Sequence, residues 1–267
     1  MISLVQLLKE AQGNPKAIIL AGAPGAGKGY ILRGLDLGGL KTMNVDDIYV
    51  PLLKKANVSL DLKNATPEER SEQAKQMAAA NKQFKGEMEQ IIAGKESFIL
   101  DGTAASYNST AKLKAELDEA GYDTFMLYVY TDLERSLSQN QDRYVKSGGE
   151  DRSLAPAIVM RTWKSVTDNL PKYEELFGNN FVAVANTLDD RMQDIDKIIK
   201  KYLKPFTPQD TKPKTPAQQK KSDERKAKDK EEIQAMLDDD FIYDVIEYTM
   251  SKEEAQMRLK QFLSKWV

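Results

Sequence analysis

The chain contains no cysteine and no histidine among its 267 residues. Disulfides, thiolate nucleophiles, Ser-His triads and the usual zinc sites are therefore excluded. Acid-base work must fall to Asp, Glu, Lys or Tyr, and any metal must be a hard cation held by oxygen, with magnesium the natural candidate. No apolar run approaches the roughly 20 residues needed to cross a membrane. The start "MISLVQLLKEAQGNP" has apolar residues at helical spacing, without the basic opening or small-residue cleavage site of a signal peptide. These absences predict a cytoplasmic protein with no membrane partner. A formal net charge of -2 gives no global attraction to nucleic acid, although a local basic groove remains open.

What is present alternates. Apolar runs at 16–21, 40–45, 97–101, 124–130 and 181–186 read as strands, with helical patterns between them. Thr66-Pro67-Glu68-Glu69 reads as a capping box with proline at the first helical position, opening a helix to about residue 93. Ser109 is a candidate cap for the helix ending at Gly121, and Thr131 for the one ending at Gly148-Gly149. Five strands separated by helices predict a parallel, doubly wound α/β sheet with helices on both faces. The expected organisation is an N-terminal helix over 1–15 and a catalytic domain over 16–203. A charged, proline-containing linker over 204–232 and a small helical module over 233–267 follow. Its aromatic-bearing "FIYDVIEY" suits that module to a protein partner.

Between the first strand and the following helix lies Gly22-Ala23-Pro24-Gly25-Ala26-Gly27-Lys28-Gly29-Tyr30. Four variable residues between a glycine and Gly-Lys, placed after an apolar strand, make a phosphate loop. Backbone N–H groups ring the phosphate oxygens, and Lys28 brings a mobile charge to the outer phosphates. The alternative is a glycine-rich turn, which has no need of Lys28. Asn44-Val45-Asp46-Asp47 follows the second strand at the carboxyl edge, where ligands of such sheets sit. A carboxylate there could take a proton from an attacking hydroxyl, or Asp46 and Asp47 could cap the next helix. Asp101 ends the third strand, with Thr103 behind it. Asp101 could hold magnesium or meet the acceptor and Thr103 could offer its hydroxyl to a phosphate, or Asp101-Gly102 could be a plain turn. Arg135, Arg143, Arg152 and Arg161 lie on or beside two helices flanking the loop "KSGGEDRSLAP", where a lid would deliver guanidinium groups to a transferring phosphate, Arg143 and Arg152 being nearest its glycines; for any single arginine the alternative is a solvated surface role.

This pattern resembles the P-loop kinases. The loop is close to that of adenylate kinases, which carry threonine where this chain has Tyr30. The wider pattern is more similar to the polynucleotide 5'-kinase and zeta-toxin branch, and covers roughly residues 16–203. Asn44, Val45, Asp46 and Asp47 match that branch's Asn-x-Asp-Asp segment. Asn140 and Arg143 match its Asn-x-x-Arg lid step, and Pro156 and Arg161 its proline-led helix. The resemblance implies a P-loop NTPase three-layer sandwich with a five-stranded parallel sheet, ATP and magnesium as cofactors, and Asp46 as general base. It also implies Asp46 and Asp101 beside the metal, Asp47 near the acceptor, and Asn186 and Thr187 near adenine or ribose. The chain departs from the branch at Gly29, where serine or threonine usually ligates magnesium. It departs again at Tyr49 and Gln139, where arginines are usual. The acceptor implied is a hydroxyl on a nucleic-acid end, a nucleoside or another small molecule; a nucleotide-sugar is the alternative. The whole chain also resembles proteins of tailed cyanobacterial phages, which implies a viral source. The departures at Gly29 and Tyr30, with the charged linker and the aromatic-bearing tail, leave a further alternative: a nucleotide-binding structural element or switch without turnover, attached to a larger assembly such as a virion.

Overall fold

The computed structural model describes residues 14–34, 40–62 and 65–186, together with the isolated positions 216, 220 and 224. Residues 1–13 of the predicted N-terminal helix, Thr187, the C-terminal module and the predicted linker apart from its helical positions 216, 220 and 224 lie outside the described residues.

Five parallel strands form one sheet: β1 (Lys16–Ala21), β2 (Lys41–Met43), β3 (Phe98–Asp101), β4 (Asp123–Tyr130) and β5 (Phe181–Ala185). Their spatial order is β2-β3-β1-β4-β5. The chain thus leaves β1 between two neighbours that it reaches only later, and the crevice at the end of β1 is a topological switch point. All six residues of β1 are buried, as both-face coverage of a parallel strand requires. The one charge among them, Lys16, is 2% exposed and pairs with Asp123 at 2.6 Å. That pair sits at the amino edge, away from the phosphate loop.

The helices are α1 (Lys28–Gly34), α2 (Asp46–Lys55), α3 (Pro67–Ala93), α4 (Tyr107–Glu119), α5 (Leu133–Lys146), α6 (Pro156–Asp168) and α7 (Leu170–Phe177). Strand side chains alternate between two cores, as their period of two dictates. Ala17, Ile19, Met126 and Tyr128 face the core that receives Met88, Leu117, Leu137, Trp163 and Tyr173 from α3 to α7. Ile18, Leu20, Leu127 and Val182 face the other, which receives Ile31 of α1. A satellite cluster of Tyr49, Leu53, Val58, Leu60 and Ala80 joins α2 to α3 beside the sheet.

The capping box at Thr66 is present: its side chain accepts from Glu69 N, and the Glu69 carboxylate accepts from Thr66 N at 2.7 Å. Two expected caps are displaced. Ser106, three residues before Ser109, caps α4, and Asp132, next to Thr131, caps α5. Thr131 instead donates its hydroxyl to Asn186 O at 3.1 Å, and its carbonyl accepts from Trp163 Nε1 at 2.8 Å. A buried hydroxyl must have a partner, and Asn186 O supplies one that a solvent-facing helix end does not require. Trp163→Ala is expected to destabilise the protein by about 3–5 kcal/mol through the cavity left under α6, a loss measurable by urea denaturation.

Candidate active site

The phosphate loop is held by its carbonyl groups. Pro24 O accepts from Ser136 Oγ at 2.5 Å, and Ala26 O accepts from Asn186 Nδ2 at 2.8 Å. Gln139, with its amide nitrogen toward the loop, donates to Gly25 O at 2.6 Å and accepts from Arg135 Nε at 2.8 Å. In a planar trans peptide the C=O and the next N–H point in opposite directions. Anchoring these three carbonyls therefore turns the N–H groups of Gly25 and Gly27 to the inner side, where phosphate oxygens would lie. Ala26 N–H is used within the loop, donating to Ala23 O at 3.0 Å.

The close approach explains two of the glycines. Gly25 has φ +79°, and a Cβ on it would stand 2.5 Å from Ser136 O. Gly27 has φ +81°, and its Cβ would stand 2.3 Å from Asn186 Nδ2. Any other residue would be strained in backbone and would displace the groups that orient the loop. Gly29 differs. A Cβ there would meet nothing nearer than Arg33 Nη1 at 3.8 Å, so the position is sterically open to a hydroxyl side chain. Tyr30 is 60% exposed.

Lys28 curls back and donates to Gly22 O at 3.0 Å and Ala23 O at 3.3 Å. Burial lowers its pKa to about 8. Asp101 and Asp46 oppose that shift and Arg143 adds to it. Burial also raises the Asp101 pKa, against the pull of Lys28, a hydrogen bond from Asn44 and the charge of Arg143. Asn44 fixes both neighbouring acids. Its Nδ2 donates to Asp101 Oδ2 at 3.1 Å, and its Oδ1 accepts from Asp46 N at 2.9 Å. The ends of β2 and β3 are thereby tied together. Neither Asp46 nor Asp47 caps α2 through its side chain, so the capping alternative does not hold for either. Burial and the charge of Asp46 raise the Asp47 pKa.

Arg152 reaches Asp46 from the loop between α5 and α6. Its Nη2 and Nε donate to Asp46 Oδ2 at 2.6 and 3.2 Å, and its guanidinium lies 5.9 Å from the Tyr49 ring centroid. The other oxygen, Asp46 Oδ1, is buried without a hydrogen-bond partner. Arg143 pairs with Asp151 at 3.3 Å on that same loop.

The structure thus brings together Lys28, Asp46, Asp101, Arg143 and Arg152. It places Arg135 behind the phosphate loop through Gln139, and Arg161 on α6 with its Nε donating to Ala157 O at 3.3 Å. Asn186, expected near adenine, spends its buried carboxamide on the phosphate loop. The backbone of Thr103 contributes as well, its carbonyl accepting from Gly22 N at 3.1 Å. Sequence reasoning missed Ser136 and gave Gln139 no role beyond a missing arginine. The available signal was the spacing Ser136-Gln139-Asn140, one helical face at the start of α5.

The sheet order, the loop after β1 and the acids at the ends of β2 and β3 define an α/β P-loop NTPase fold. The zeta toxin family model matches residues 4–198, and the chain belongs to that family, a class of P-loop kinase-like enzymes. Among solved structures it is similar to AvrRxo1-ORF1:-ORF2 with ATP, with a TM-score of 0.50 and 17% identity, covering 80% of this chain and 70% of that one. It is also similar to a structure of the PezAT chromosomal toxin-antitoxin system of Streptococcus pneumoniae, with a TM-score of 0.45 and 16% identity over 82% and 87% of the two chains. A gluconokinase from Sinorhizobium meliloti 1021 gives a TM-score of 0.36 and 14% identity over 72% and 91%. No curated protein matches. Among the described residues no helix is long and apolar enough to cross a membrane.

Gly27→Ala is expected to abolish ATP binding while leaving the melting temperature within a few degrees, because the clash falls on the Asn186 anchor and not on the core. Calorimetric titration with ATP, beside a thermal melt, checks both halves.

Proposed function

We propose that the protein transfers the terminal phosphate of ATP to a hydroxyl acceptor, with Asp46 as the general base. The observation that carries this reading is the state of the Asp46 carboxylate. One oxygen is held by Arg152, and the other is buried without a partner at the sheet edge that also presents Lys28. A buried unpaired oxygen costs about 1–3 kcal/mol. An acceptor hydroxyl donating to Oδ1 would satisfy it and would stand ready to lose its proton to the same atom.

In this mechanism the loop N–H groups and Lys28 hold the donor phosphates. Lys28 exchanges two neutral carbonyls for phosphate oxygens, a gain in charge complementarity without a large change of place. Arg143 and Arg152 neutralise the charge that spreads over the transferring group. Asp46 takes the acceptor proton. The family implies magnesium with the nucleotide. Magnesium keeps several waters and takes one or two carboxylates beside the phosphates. Asp101 and Asp46 fit that need, and Gly29 contributes no ligand. Among the described residues no group of three or more acidic side chains forms a ready-made metal cage. Bound magnesium would supply charge neutralisation between the outer phosphates.

Family membership and Tyr49 favour a nucleotide-linked sugar over a polynucleotide end as acceptor. Polynucleotide kinases resembling this chain carry an arginine where Tyr49 stands. Here that side chain is 3% exposed, packed in the α2–α3 cluster, with its hydroxyl donating to Gln73 O at 3.4 Å. It offers no cation to a strand phosphate. Labelled ATP incubated with nucleotide-linked sugars and with 5'-hydroxyl oligonucleotides separates the two acceptors. With the accepted one, Asp46→Asn should lower kcat by roughly 10²–10⁴-fold with ATP affinity retained, and loss of less than tenfold would sink the base assignment. Lys28→Ala should lower transfer by a similar factor.

The Lys28 pKa gives a pH dependence. Its ammonium loses its proton as pH rises through about 8, so kcat/KM for ATP should fall above that value. Between about 8 and the ordinary lysine value the unfolded chain binds more protons at this site than the folded one. Lys28 therefore makes stability rise with pH in that window, opposite in sign to its effect on ATP capture.

A further inference from the structure

The loop between α5 and α6, residues 147–155, is fastened to the acceptor side of the molecule at points the catalytic reading does not use. Ser153 N donates to Leu60 O at 3.1 Å, and Ser153 pairs with Asp61 as an isolated parallel bridge. Ser153 Oγ donates to Asp61 Oδ1 at 2.8 Å, and Ser153 is 6% exposed. Lys54, in the last turn of α2, pairs with Glu150. One residue further on, Leu154 exchanges two hydrogen bonds with the Asn140 carboxamide, at 2.9 and 3.1 Å, which fixes the same stretch to α5. Asp61 is itself placed by a turn in which its N–H donates to Ser59 Oγ at 3.1 Å.

Arg152 lies immediately before Ser153. Successive side chains of an extended bridged segment point to opposite sides. Holding Ser153 toward Asp61 therefore sends Arg152 the other way, onto Asp46 and over the Tyr49 ring. Without the bridge, Arg152 would be a long side chain on a loop with two positive-φ glycines, Gly148 and Gly149, at its start. Its guanidinium would then sample many positions, and each missed position is a lost transition-state contact.

We propose that Asp61 is a positioning residue. Through Ser153 it latches the lid to the segment following α2, and so places Arg152 against Asp46 and the acceptor. The latch joins the lid to the acceptor helices and not to the phosphate loop, so closure moves the lid and the acceptor side together. This rests on the kinase reading for its effect on turnover, but not for its effect on the loop.

Two measurements on the full chain separate these. Amide exchange of residues 150–155 reads the latch alone. Asp61→Ala should speed exchange there by at least roughly tenfold with an unchanged melting temperature, and Asp61→Asn, which keeps an acceptor oxygen for Ser153, should restore protection. Unchanged exchange in Asp61→Ala, or a lowered melting temperature that Asp61→Asn fails to restore, would overturn the proposal, whether or not the wild type transfers phosphate. Where transfer is present, Asp61→Ala should lower kcat by roughly tenfold while the ATP dissociation constant stays within twofold. In the Arg152→Ala background the same change should have no further effect, because both act on one interaction. Additive losses would show that Asp61 acts elsewhere. Absence of transfer by the wild type with altered exchange in Asp61→Ala would reject the kinase reading and keep the latch.

Discussion

The phosphate loop depends on the outward pull exerted on three consecutive carbonyls. Ser136 and Gln139 come from one face of α5, and Asn186 from the end of β5, so the loop is gripped by the helix that follows β4 and by the strand that pairs with β4. A glycine-rich turn left to itself would populate many conformations, and binding would have to order it at a cost of about 1–2 kcal/mol per residue. The grip settles that order during folding. It also explains why Gly25 and Gly27 accept no substitute: the gripping groups stand where their side chains would go.

The second organising element is Asn44. One carboxamide joins the ends of β2 and β3 and sets the distance between two acids that would otherwise repel each other. Asp101 then faces Lys28 and Asp46 faces Arg152, so each acid has a cation of its own. Fold and chemistry meet here. The strand order 2-3-1-4-5 puts the end of β3 between those of β2 and β1, and that adjacency brings Asn44, Asp101 and Lys28 to one edge.

Much of this was legible in the sequence. The five apolar runs, the loop after the first and the acids after the second and third each carry a local signal, because buried parallel strands read as continuous apolar stretches and phosphate loops have fixed spacing. Helix starts were less legible. Ser106 and Ser109 look alike as caps, and their choice depends on where the preceding loop leaves the sheet. Arg152 on Asp46 joins residues 106 positions apart, and nothing in the local pattern of either announces the other. The hold of Asn186 on Ala26 O was illegible for the same reason: their proximity is a product of strand order, not of spacing.

Tyr49 has a consequence for discrimination. Because it packs beneath Arg152 where related kinases place a second cation, Arg152 and Asp46 are left to neutralise each other. A bare anion that drew Arg152 away would leave Asp46 Oδ2 without its partner, whereas a hydroxyl on Oδ1 leaves the Arg152 pair in place. Under the kinase reading proposed above, a molecule, or a pair of molecules, presenting a hydroxyl and an anionic group together would engage Oδ1 and Arg152 at once. Such a site would reject the bare anion by subtraction, through the carboxylate oxygen it leaves unpaired.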